Sequence, residues 1–376
     1  MNANDKTRQN TLVENRNTTV DDIKGLLIIL VVLGHTYNPL FRDFIYLFHV
    51  GMFFVLSGYC FNQKYTEDLG GLKDLLVKRI KSLWVPYVAY NFVFLLLQNV
   101  FVRVGFLTTD EAYFAYSPML PDGFCQPLTL RTGVIAFIKS LFFMNSRPFA
   151  GGLWFLGGLF YVTAGYAAIQ FVMRKFHLEK FHITISVLML VAGWLLVKTD
   201  IYLRIPIGKQ VCIILIAEVL FTLGTYIRTY IVFPELRKWQ YAVGFVYFSA
   251  LTYFLSLHGT VSIANVHIEN PLFYITSILT GGGMVFCFVK LVPVFSYIGR
   301  RTVPILALHP ICFKIVSVIQ WKMYGGEDVV LALYPVWTRS PFLLWSLVCG
   351  ILGVAVPLLI AAFLAKSKVG KVIFKC

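Results

Sequence analysis

Carboxylates are the first thing this chain is short of. Its 376 residues hold 18 Asp and Glu against 33 Lys and Arg, and only 14% of positions are charged. A soluble fold of this size needs more polar surface, so a freely soluble globule is excluded. Cysteine chemistry is equally thin. The seven cysteines form no C-x-x-C pair and show no metal spacing. Cys60, Cys212, Cys287, Cys312 and Cys349 lie in apolar stretches and read as small core hydrophobes, and Cys376 makes no prenylation box. No metal is therefore expected. The glycine runs Gly151-Gly152 and Gly281-Gly282-Gly283 lack a Walker or Rossmann context and read as close helix packing. A small-residue cleavage site after the first apolar run is also missing, so that run is expected to be a retained anchor. No strong internal repeat is visible.

What is abundant is apolar length. Hydrophobic residues make up 58% of the chain and mean hydropathy is +0.74. Apolar runs near 24–41, 44–62, 83–103, 153–173, 183–198, 210–227, 240–257, 272–290, 304–321 and 342–364 are each long enough to cross or nearly cross about 30 Å of hydrocarbon. The expected fold is an all-α, polytopic membrane bundle of about ten transmembrane helices. It is flanked by tails at 1–22 and 366–376, with a cytoplasmic amphipathic helix near 70–82 and an outer loop near 104–152. The segment 134–145 is apolar but short, which suits a re-entrant or interfacial piece. The loops on the N-terminal side carry about twice the Lys and Arg of the opposite loops, which places both termini in the cytoplasm. The net charge of +15 reads in the same way, as topology signals and contacts to anionic lipid rather than nucleic-acid binding.

Several residues stand out against this background. Lys24 and His35 are eleven residues apart, three helical turns plus about 20°, so they share one face about 16 Å apart along the axis. That spacing predicts Lys24 at a membrane surface and His35 near the midplane. A titratable imidazole there is costly and functional by default, and a neutral imidazole is a natural base for a hydroxyl. The alternative is a core histidine bonded to a neighbouring helix. His309 follows Pro304 by about 8 Å of helix and approaches the same depth, with the same alternative. Glu218 is a lone carboxylate in mid-span, either holding a histidine or making a structural hydrogen bond. His49, near Arg42 and Asp43, is either an acceptor-orienting group or an interfacial histidine. Arg147 and Trp154 at the outer mouth of the fourth span suit a sugar, by hydrogen bonding and ring stacking, or an interfacial belt. Arg79 projects within the apolar arc formed by Leu72, Leu75, Leu76, Ile80 and Leu83, where it wants a phosphate or carboxylate, or snorkels to lipid phosphate.

Taken in order, five segments resemble the membrane-bound acyltransferase family 3, the bacterial integral-membrane O-acyltransferases of sugars. They are Asp22-Ile23-Lys24-Gly25 leading to Leu33-Gly34-His35, then Phe48-His49 through Gly58-Tyr59, then Arg79-Ile80 through Val85-Pro86-Tyr87. Leu153-Trp154-Phe155-Leu156 and Gly299 through His309 complete the set. The resemblance spans nearly the whole chain. It implies an acyl-coenzyme A donor, by default acetyl-coenzyme A, on the cytoplasmic side, and a hydroxyl of a glycan or lipid-linked sugar as acceptor. It further implies a bacterial inner-membrane location. Lys24 stands where many relatives carry arginine, so it would meet phosphate as a point charge without the bidentate fork.

The expected division of labour is Lys24 and Arg79 for donor phosphates, His35 as the central base, and His309 or Glu218 orienting it. His49, Arg42, Arg147 and Trp154 then face the acceptor. No partner beyond donor, acceptor and membrane lipid is read from the sequence. The rival readings are a transporter or flippase for a glycolipid or small anion, and a glycan polymerase. Neither needs a coenzyme A site.

Overall fold

The computed structural model describes residues 18–117, 121–144, 148–205, 207–337 and 340–373. Helices dominate. Besides the short helices Tyr113–Tyr116 and Lys368–Ile373, in chain order they are α1 (Thr18–Gly34), α2 (Pro39–Tyr46), α3 (His49–Tyr59), α4 (Leu69–Arg79), α5 (Val85–Arg103), α6 (Leu130–Leu141), α7 (Trp154–Lys175) and α8 (His182–Lys198). They continue with α9 (Gly208–Tyr230), α10 (Lys238–Ser256), α11 (Pro271–Leu291), the single turn α12 (Ser296–Gly299), α13 (Thr302–Tyr324) and α14 (Phe342–Leu364). Between α10 and α11, Val261–Ser262 pairs antiparallel with His267–Ile268 in a small hairpin. Eight helical runs among the described residues are long and apolar enough to cross a membrane. Ten were expected. The two that fall short are α1, at 17 residues, and α10, whose Lys238, Gln240 and tyrosines dilute its hydropathy.

The first expected span, 24–41, is broken. Helix α1 ends at Gly34, and His35 closes its last turn by donating its backbone N–H to the Val31 carbonyl (3.0 Å). Tyr37 then adopts a left-handed φ of 55°, and Pro39 opens α2. Proline restrains the residue before it away from the helical region, so the chain turns here instead of running on. His35 therefore lies at the end of α1 and not in the middle of a longer helix, a correction to the expected span.

The segment expected as re-entrant forms α6, capped at Thr129 by a reciprocal bond with Thr132. It packs along α5, from Asn99 bonded to Leu128 at one end to the Trp84 indole donating to the Leu141 carbonyl (2.8 Å) at the other. Helices α4 and α5 are joined by a π-helical turn, Ile80–Trp84, in which the Val85 N–H reaches back to the Ile80 carbonyl. Pro86 has no N–H to offer, which favours a shifted hydrogen-bond register at the junction. The apolar arc expected on one face is divided already within α4, ahead of the π turn. Leu75 and Leu83 are buried, while Leu76 and Ile80 are exposed.

The core forms where backbones touch. Gly58 of α3 packs on the Phe221 carbonyl of α9, and Gly224 of α9 packs on the Val55 carbonyl of α3. Gly299 sits against the Asp21 carbonyl and Gly25 against Phe295, so the α12 turn is pinned to α1. A Cβ at any of these positions would strike backbone, which is how small residues bring membrane helices close. Outward faces carry large apolar side chains such as Leu188, Leu359 and Phe363, all more than 60% exposed. Apolar exposure on that scale is stable against lipid and unfavourable against water.

Candidate functional site: a histidine pair on a two-lobed cleft

The end of α1 meets the first third of α13. His35 Nδ1 lies 2.7 Å from His309 Nε2, and the two rings are 9° from coplanar with centroids 4.9 Å apart. That separation is close to the N–N distance plus the two ring radii. The imidazoles therefore lie edge to edge in nearly one plane, the geometry of a hydrogen bond and not of face-to-face stacking. His309 Nδ1 is 2.9 Å from the Ile305 carbonyl one turn back. A carbonyl only accepts, so His309 Nδ1 carries the proton, and in the neutral ring Nε2 is the acceptor. His35 must then donate from Nδ1, which leaves its Nε2 lone pair free. The chain of donors fixes His35 in the tautomer a general base requires.

His309 is fully buried, while His35 is half-buried and lines a cleft of about 210 Å³. Other walls come from Tyr37, Tyr46, His49, Trp154, Asn265 and Tyr334. His49 is buried and its Nδ1 lies 2.8 Å from the Ile45 carbonyl, so by the same argument its Nε2 is an acceptor. A Cβ at Gly152 would come within 3.2 Å of Leu306 Cδ1, with the His309 ring in ordinary contact at 3.7 Å. The Gly151-Gly152 pair is thus cleft wall. The Gly281–Gly283 run packs on Phe48, Met52 and Phe248, as expected of helix contacts.

Two groups in the cleft come from loops. Asp122 is exposed as a residue, but partial desolvation of its carboxyl pushes its pKa above the ordinary carboxylate value. Burial, and then the nearby Asp122 and Tyr37, hold the Tyr334 phenol above its ordinary pKa, so it remains an O–H donor. Tyr334 is positioned by a strap along α13. Lys314, 1% exposed, donates from Nζ to the carbonyls of Leu331 (2.9 Å) and Leu333 (2.6 Å) and lies 5.7 Å from the Phe149 ring centre. Ser317 Oγ accepts from the Trp337 N–H, and Gln320 donates to the Trp337 carbonyl. Lys314 escaped the sequence reading although its signal was plain, a cation inside an apolar run five residues after His309.

The other sequence-based candidates fall in different places. Trp154 lines the cleft. Arg42 does not; it is half-buried, and its Nε donates to Asp43 Oδ1 (2.8 Å). Arg147 lies outside the described residues. Glu218 is fully buried, touches neither His35 nor His309 by any hydrogen bond among the described residues, and does not line the cleft. The structure therefore separates it from the histidine pair it was expected to orient.

At the opposite, basic end, Lys24 is half-buried on α1, one and a half turns in from Thr18. Arg79 is half-buried too, with its Nε buried and unpartnered, and Tyr65 and Cys60 lie close enough to interact with it electrostatically. No hydrogen bond joins Lys24 to Arg79 among the described residues. A third cation, missed in the sequence, is Arg301. Its guanidinium stacks 4.0 Å over Tyr297 and also has a buried, unpartnered Nε. Arg300 is spent on Asp21, 3.3 Å away.

An all-helical bundle with eight helical runs long and apolar enough to cross a membrane, and a hydrogen-bonded histidine pair in a cleft, defines a multi-pass membrane protein. A family model described as an acyltransferase domain matches residues 17–366, and the chain belongs to that family, the membrane acyltransferase family 3. Among curated proteins and among solved structures, nothing matches.

Proposed function

We propose that this chain is an integral-membrane O-acyltransferase of a bacterial inner membrane, with both termini in the cytoplasm. It moves an acyl group, by default acetyl, from cytoplasmic acyl-coenzyme A to a hydroxyl of a cell-surface or lipid-linked glycan. The observation that carries the reading is the His35–His309 pair, whose hydrogen bonds leave a basic Nε2 on His35 beside an open cleft.

The acceptor hydroxyl gives its proton to His35 Nε2 while its oxygen attacks the thioester carbonyl. The carbon–sulfur bond breaks, and the proton passes to the departing coenzyme A sulfur, so no net proton is consumed. His309 holds the tautomer of His35 and accepts from its Nδ1–H as positive charge develops. Tyr334 and His49 are placed to bond the acceptor, and Trp154 supplies an aromatic face for a sugar ring. On the donor side, Lys24, Arg79 and Arg301 suit the coenzyme A phosphates, because buried guanidinium N–H groups without partners favour an anion. Eleven residues of rise, about 16 Å, separate Lys24 from His35, a span suited to a long, thin pantetheine arm.

The test uses purified protein in lipid with radiolabelled acetyl-coenzyme A, comparing wild type with His35→Ala. His35-dependent loss of acetyl from the donor, to sugar or to water, supports the reading. Label trapped on His35 itself would replace direct attack with an acyl-histidine route. Binding of the donor should weaken at least tenfold in Arg79→Ala. If wild type binds no acetyl-coenzyme A at all, the acyltransferase reading fails.

A further inference from the structure

Acyl transfer needs a hydrogen-bond donor that neither histidine of the pair supplies. As the acceptor oxygen attacks, the electron pair of the thioester C=O moves onto its oxygen, and that charge is stabilised by a donor already fixed in place. His35 is occupied with the acceptor proton, and His309 with His35. We propose that Tyr46 is this donor: a catalytic residue whose phenol O–H binds the thioester oxygen in the transition state, with Arg42 acting through it. This rests on the acyl-transfer reading above and adds a catalytic group to that same site.

The cleft has two lobes. Beyond Trp154 a second, of about 370 Å³, shares Asp122, Gly151, Trp154, Ala264 and Asn265 with the first. His35 lines the first lobe and not the second, so the reacting carbonyl belongs in the first. Tyr161 of the second lobe spends its hydroxyl on the Phe142 carbonyl (3.2 Å). Tyr37, Tyr46 and Tyr334 line the first lobe, and their hydroxyls have no hydrogen-bond partner among the described residues. Of these three, Tyr46 is the one in ring contact with the base. It lies edge-on to His35, with centroids 6.2 Å apart, and its ring is also 4.9 Å from that of His49. It therefore borders both the base and a residue that faces the acceptor. A Cβ at Gly34 would come within 3.1 Å of the Tyr46 ring, so the end of α1 closes on it as well. A phenol held by three neighbours need not reorient as charge develops, which is the property an oxyanion donor requires. Tyr334 packs on Phe149 instead, at 6.3 Å.

Arg42 precedes Tyr46 by one turn of α2, and its guanidinium is close enough to interact electrostatically with Tyr46 and Tyr37. A cation beside a phenol favours negative charge shared with its oxygen, so Tyr46 becomes a stronger donor to an oxyanion. Arg42 thus contributes to the reaction without lining the cleft. No proton leaves Tyr46. Its hydrogen bond tightens as electrons reach the carbonyl oxygen and relaxes when they return and the carbon–sulfur bond breaks.

The experiment follows acetyl loss from acetyl-coenzyme A by the full chain in lipid, to water and to a panel of methyl hexopyranosides. It is run in wild type, Tyr46→Phe, Tyr37→Phe, Arg42→Gln and Arg42→Lys. Phenylalanine keeps the ring packing, so Tyr46→Phe carries little folding risk. It should lower kcat by about 10²-fold with both KM values little changed. Hydrolysis and transfer should fall by the same factor, because both pass through the same oxyanion. Arg42→Gln should lower kcat several-fold, Arg42→Lys should recover most of that loss, and Arg42→Gln should add nothing once Tyr46→Phe is in place. An acceptor KM that rises in Tyr46→Phe while kcat holds makes Tyr46 a sugar contact and overturns the proposal. A loss carried by Tyr37→Phe and not by Tyr46→Phe overturns it too, and independent, additive losses remove Arg42 from it. If wild type releases acetyl to neither water nor sugar, the acyl-transfer reading fails first and the proposal falls with it.

Discussion

Two regions of this bundle hold buried histidines, and they differ in nearly everything else. At the end of α1, His35 and His309 are partnered, ordered into a single tautomer and adjacent to a cavity. Among α7, α8 and α9, His182 sits edge-on to Tyr166 at 4.8 Å, and Ser186 bonds Thr222 at 2.8 Å. Glu218 is sealed nearby with both carboxyl oxygens unpartnered. That second region lines neither cleft lobe. The contrast teaches that burial of a titratable group is not enough to mark a reaction centre. A base must also face space that a substrate can enter, with a partner that fixes which nitrogen is basic.

Substitutions can break that comparison, starting from the largest effect. His35→Ala removes the base and should lower acetyl transfer by about 10³-fold or more, within the range of general-base catalysis. Initial rates under saturating donor check this. His309→Ala leaves His35 free to adopt either tautomer and should cost about 10²-fold, mainly in kcat. His309→Gln, whose side chain can still accept a hydrogen bond, should recover part of the loss. Equal damage from both His309 changes would mean that the pair acts in some way other than tautomer control.

Lys314→Met strips two carbonyls of their donor and loosens the segment that carries Tyr334. A rise in acceptor KM of about tenfold is expected, together with a lower thermal midpoint. Each orphaned buried acceptor costs about 1–3 kcal/mol. A fall in donor affinity instead would place Lys314 outside the acceptor machinery. The smallest effect is expected from Glu218→Gln, which preserves shape in a region remote from the cleft and should change kcat less than threefold. If it silences the enzyme as His35→Ala does, the two regions are coupled and the contrast falls.

Much of the helix plan was legible. The limits expected for the last span, 342–364, coincide with α14, and most others fall within a few residues of their helices, because apolar runs between basic loops report the bilayer directly. The turn after His35 was not legible from hydropathy, since Thr36, Tyr37 and Asn38 are mildly polar and flanked by apolar residues; Pro39 was the available signal. The division of the α4 arc was hidden for another reason. Period does not say how wide the covered stripe is: Leu75 and Leu76 are neighbours on one turn of α4, yet only Leu75 is buried. Asp122 and Tyr334 lie in loops, where no periodicity points inward.

By itself the sequence determined the all-helical membrane class and the inward set of Arg79. These follow from local period and composition, which act over a few turns of one helix. Only the tertiary structure decided that His35 would meet His309, 274 residues away, and that Glu218 would meet neither. It also decided that Lys314 would hold the carbonyls of Leu331 and Leu333 beside the cleft residue Tyr334. Those outcomes depend on which helix faces close together. That is set by glycine contacts and hydrogen bonds between distant segments, and a one-dimensional pattern cannot encode their mutual rotation.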